Sequence, residues 1–115
     1  MPVSNNAKRL VLNTLVEKIN EMVIGYDGSP STNVDGAAGR PAITINPTVK
    51  IVDDNTLLVE GFLPAEYSFN DSLKEVFIQH RPTSGSSTPI ARHTISKITK
   101  TTSNELRIQV LIEVK

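Results

Sequence analysis

Residues able to do chemistry are few and scattered along this chain. The two histidines, His80 and His93, have neither a cysteine nor a second histidine at metal-ligand spacing. A metal would need carboxylates brought in by the fold. Asp53-Asp54 is a pair of adjacent carboxylates, but with Asn55 it reads as a turn whose side chains accept backbone amides. Asp27 and Asp35, with loop carbonyls, could gather a cation, yet no EF-hand spacing surrounds them. Ser84-Gly85-Ser86 is turn chemistry, and no Gly-x-Ser-x-Gly elbow exists. The glycine clusters Gly25-Tyr26-Asp27-Gly28 and Gly36-Ala37-Ala38-Gly39 form neither a phosphate loop nor a dinucleotide fingerprint. Arg92, Lys97, Lys100 and Arg107 could form a basic ridge on the hairpin of the last two strands, without the interleaved aromatics of a nucleic-acid platform. Asn70-Asp71-Ser72 matches a glycosylation sequon, which matters only on a secreted chain. No catalytic, cofactor or metal site is expected, and no enzyme.

Composition narrows the classes further. The 115 residues suit one domain, 1–115. Its 12 Lys and Arg balance 12 Asp and Glu, so charge makes no case for nucleic acid or an anionic membrane. Cysteine is absent, which removes disulfides and thiolate chemistry. Trp is absent, and Phe and Tyr number only 3 and 2, so Ile, Leu and Val must build the core. No apolar run approaches the ~20 residues of a membrane span. Met1 to Arg9 lacks the apolar centre of a signal peptide, which predicts synthesis and assembly in a cytoplasm.

Periodicity supplies the elements. Leu12, Leu15, Val16, Ile19, Met22 and Val23 recur at spacings of three and four, predicting an amphipathic helix over 4–23. Ser4 would cap it and Gly25 would end it in a left-handed turn. Residues 27–41 read as a long Gly/Asp/Ser/Pro loop, of a length that favours function or ordering by a partner. A β region over 42–115 follows. Ile43 and Ile45, then Val49 and Ile51, alternate around Pro47, which demands an edge strand or a bulge. Thr56 to Leu63 and Leu73 to His80 follow, the latter apolar on both faces and so central. Ile90 to Lys97 and Glu105 to Lys115 come last. In the final strand Leu106, Ile108, Val110, Ile112 and Val114 face one side. Leu111 breaks its polar side and reads either as a satellite core residue against the helix or as an exposed anchor for another subunit. The class is α+β, mainly β: a helix, then a small antiparallel β-sandwich or open barrel of about five strands.

The phrase Ile90-Ala91-Arg92-His93-Thr94-Ile95-Ser96-Lys97-Ile98-Thr99-Lys100-Thr101, followed by Glu105-Leu106-Arg107-Ile108-Gln109-Val110, resembles the close of small tail-associated proteins of tailed bacteriophages. The order of elements is similar too: an N-terminal helix, Ile24-Gly25, a variable loop, and a Glu75-Val76-Phe77-Ile78 strand. Ile24-Gly25-Tyr26-Asp27 stands where that family has a Gly-Thr-Gly loop start. The resemblance implies a non-enzymatic virion structural protein, a baseplate or tail-fibre adaptor. It would assemble in the host cytoplasm as a homo-oligomer or ring with other tail, baseplate or fibre proteins. Tyr26, Asp27 and Leu111 are the interface candidates. The alternative is a stand-alone carbohydrate- or protein-binding module of adhesin type.

Overall fold

In the computed structural model, which describes residues 4–30 and 39–114, Ser4 caps the helix as predicted. Its hydroxyl accepts the Ala7 N–H at 3.1 Å, opening α1 (Asn5–Lys18). The helix stops well short of residue 23. Ile19 still donates its N–H to Leu15, but its backbone is extended. Asn20 then clamps Arg81 reciprocally, donating to its carbonyl and accepting its N–H, both at 2.8 Å. From there Glu21–Gly25 forms strand β1. The predicted 4–23 helix is thus a helix followed by a strand. Met22, Val23 and Ile24 are all buried because β1 has a strand on either side. Such a run meets the helical spacing and the needs of a central strand equally well, and tertiary pairing decides.

Six more strands follow: β2 (Pro41–Ile45), β3 (Thr48–Asp53), β4 (Thr56–Leu63), β5 (Leu73–His80), β6 (Thr88–Ile98) and β7 (Leu106–Glu113). Among the described residues the strands number seven, not about five. All pairings are antiparallel, in sheets of order β2-β1-β5-β6 and β3-β4-β7. Two facing sheets make a sandwich, and the α+β, mainly β class stands. Asn46-Pro47 carries the chain from one sheet to the other between two edge strands, as Pro47 requires. β5 is central, as its two apolar faces predict. β6 and β7 are not a hairpin: they lie in different sheets.

The core joins Met22, Ile24, Val76 and Ile78 of one sheet to Leu57, Val59, Leu63, Ile108 and Val110 of the other, with Leu12 and Ile19 added from the N-terminal segment. Gly61 lets the sheets approach: a Cβ there would collide with Met22 Sδ and lie 2.8 Å from Ile45 Cδ1. The crossings over 64–72 and 99–105 are fastened together by Lys100, which is fully buried. Its ammonium donates to the carbonyls of Tyr67 at 2.5 Å and Thr101 at 2.6 Å. Its own carbonyl accepts the Phe69 N–H at 3.1 Å.

Candidate functional site

Along β5, Val76 and Ile78 face the core, which turns Glu75 to the opposite side of the sheet. Glu75 is nonetheless completely buried. Its Oε2 accepts the N–H groups of Asp27 at 2.8 Å and Arg40 at 2.9 Å. Its Oε1 accepts the Gly39 N–H at 2.8 Å and Arg92 Nε at 3.1 Å. Arg92, also buried, donates from Nη1 to the Ser29 carbonyl and from Nη2 to the Asp27 carbonyl, each at 3.0 Å. Its Nη2 stands 3.7 Å from the Asp27 carboxylate. One ion pair therefore grips both ends of the predicted long loop. A carboxylate so filled by donors has no free lone pair for acid–base work.

Tyr26 and Asp27 sit in this neck. The Tyr26 N–H donates to the Arg40 carbonyl at 2.8 Å. The Tyr26 ring meets Phe69 edge-on, with centroids 6.5 Å apart, and the Arg40 guanidinium lies 5.4 Å from the Tyr26 ring centre. Asp27 accepts the Ser29 N–H at 2.9 Å and the Ser29 hydroxyl at 2.7 Å. Gly25 is not a helix cap. It ends β1 where a Cβ would come within 2.5 Å of the Arg40 carbonyl oxygen and 2.6 Å of Glu75 Oε2. Asp35 and the rest of 31–38 lie outside the described residues.

Burial pushes the Glu75 carboxyl up. The amides of Arg40, Asp27 and Gly39, helped by Arg92, outweigh burial and hold it below the usual range. Hydrogen bonds from Ser29 lower Asp27, with Arg92 and Arg40 adding charge attraction. A carboxyl whose folded value lies below its unfolded value stabilises the fold above about pH 4.3, and that stabilisation is lost as pH falls through the folded value. In an acid titration followed by NMR, the amide protons of Asp27, Gly39 and Arg40 should therefore shift together, with a shared midpoint below pH ~4.3. Three independent midpoints would contradict the shared carboxylate.

The other candidate surface is the outer face of the β3-β4-β7 sheet. Register aligns Lys50, Leu58 and Leu111 in one row and Thr48, Glu60 and Gln109 in the next, with Phe62 beside Arg107. Leu111 is 62% exposed, so it is not a satellite core residue against the helix. Phe62 and Val52 are exposed on the same sheet. Glu60 accepts from Arg107 Nη1 at 2.9 Å and Gln109 Nε2 at 2.6 Å. The Arg107 guanidinium lies 5.3 Å from the Phe62 ring centre. A hollow of about 120 Å³ between β3 and β4 is smaller than the ~300 Å³ of a small-molecule pocket.

Tyr26 and Asp27 thus come together, while Leu111 lies on the other sheet. The predicted basic ridge does not form. Arg92 is paired in the neck, Lys100 is buried under the crossings, and Arg107 lies on the second sheet with Glu60. Asp53 accepts the Asn55 N–H at 3.0 Å, the turn role expected of it. His80 Nδ1 donates to the Lys18 carbonyl at 2.6 Å. Among the described residues no group of three or more acidic or histidine side chains is arranged to hold a metal, and no helix is long and apolar enough to cross a membrane. Sequence reasoning missed Glu75. The available signal was a carboxylate on a strand apolar on both faces, which must find a cation when buried.

Comparisons with family models, curated proteins and solved structures returned no match.

Proposed function

We propose that this chain is a non-enzymatic structural module that works by assembly with other protein subunits, as a baseplate or tail-fibre adaptor of a phage tail. The observation that carries the assembly reading is the exposed Leu111, set on a sheet face with Leu58 and the exposed Phe62. Apolar groups gathered on one face mark a surface that another protein covers. The tail placement rests on the resemblance of the Ile90–Thr101 phrase and of the element order. The neck agrees with a structural role, because its charged groups are consumed in holding the loop rather than left open to a substrate.

Leu111→Asp tests the reading. Its side chain is exposed, so the melting temperature should stay near wild type while assembly weakens by about tenfold or more. Light scattering of the chain alone and with neighbouring tail proteins reads the result. Loss of folding on this substitution, or a wild-type monomer that ignores every tail protein, would overturn the proposal. Binding of that monomer on a glycan array would instead favour an adhesin.

A further inference from the structure

The two sheets have four edges, and three of them carry features that discourage a further strand. β2 opens on Pro41, and its pairing is irregular at Ile24/Gly25. β3 has an irregularity between Ile51 and Asp53 and lies against α1. β6 contains Pro89, and its pairing with β5 is irregular twice. β7 has none of these. It pairs with β4 through all 8 of its residues without a shift and contains no proline. Among the described residues nothing pairs with its other side. A regular, uncovered edge is a template for another strand.

We infer that β7 pairs antiparallel with β7 of a second copy of this chain, about a two-fold axis at Val110, joining two three-stranded sheets into one of six. This rests on the self-assembly part of the reading above. The residues of β7 select the register. With Val110 opposite itself, Ile108 meets the partner's Ile112, so the core-facing sides stay in line. On the outer face Gln109 meets the partner's Leu111, and Arg107 meets the partner's Glu113, an opposite-charge pair repeated on both sides of the axis. Centring on Gln109 instead would set Glu105 against the partner's Glu113. Centring on Leu111 would set Glu113 against the partner's Gln109 and forfeit the ion pair. Glu113 has no ion pair among the described residues of its own chain. Arg107 already holds Glu60 at 2.9 Å, and its forked guanidinium has donors left for a second carboxylate.

A charge swap tests the pairing. Sedimentation velocity over a concentration series should show the wild type as a dimer. Arg107→Glu opposes carboxylates at both ends of the paired strands, and Glu113→Arg opposes guanidiniums. Each variant should dimerise about tenfold or more weakly, while a one-to-one mixture of the two restores complementary charge at both ends and recovers the dimer. Both side chains are exposed, and circular-dichroism melts check that each variant folds. If Arg107→Glu unfolds through its approach to Glu60, a cross-linking experiment reads the same register. Gln109→Cys mixed with Leu111→Cys, in a chain without native cysteine, should give more disulfide dimer than either alone. A dimer unchanged in both charge variants, or a mixture that fails to recover, overturns the β7 pairing and leaves assembly standing. A wild type that stays monomeric overturns self-assembly itself.

Discussion

Arg92→Met is expected to lower the free energy of unfolding by about 3–5 kcal/mol, the cost of stripping one partner from a buried ion pair. The loss is large because Arg92 serves several groups at once. Without it the fully buried Glu75 carboxylate keeps three amide donors but no counter-charge. The carbonyls of Asp27 and Ser29 lose a donor as well. Urea denaturation followed by circular dichroism measures the change. Adding Glu75→Leu should not restore stability as it does for a simple ion pair, because the amides of Asp27, Gly39 and Arg40 would then have no acceptor. A loss below about 1 kcal/mol for Arg92→Met would show that solvent reaches the neck and that the pair is worth no more than a surface one.

Val110→Asp is expected to abolish folding. Val110 lies in the core with Val59 directly across the strand pair. Among the described residues the side chains of this core are apolar, so a carboxylate must be buried unpaired or carried in protonated form at a cost of several kcal/mol. The cavity and lost packing add to this. Against a total stability of about 5–15 kcal/mol, the sum removes most or all of the margin. The expected result is loss of soluble expression or a chain without a cooperative melting transition. A variant that melts cooperatively near the wild-type temperature would mean that β7 is turned over, with Leu111 rather than Val110 inside.

The faces of β7 were legible in the sequence because a period of two leaves one solution when one side is buried. Ile108 and Val110 point inward, as the alternation requires. Pro47 likewise marked edge strands without further information. Residues 21–25 were not legible. An unbroken apolar run carries no period, and only the partners β2 and β5 make it a strand. The sheet order was equally hidden, since the separation of β6 from β7 depends on how crossings run rather than on either strand. Of the candidate surfaces, Tyr26 and Asp27 were placed by the glycine-rich loop they open. The groups that fix that loop, Glu75 and Arg92, lie 17 residues apart on adjacent strands. Neither residue type on its own announces such a pairing.

The neck has an evolutionary consequence. Three of the four donors to Glu75 are main-chain amides, and any amino acid except proline supplies one. The clamp therefore recognises mainly the path of the chain, with position 39 held to glycine because a Cβ there would collide with the Asp27 carboxylate. Whatever is spliced between Pro30 and Gly39 would inherit the same anchorage, so that stretch can diverge, lengthen or be grafted while the scaffold beneath it stays constant.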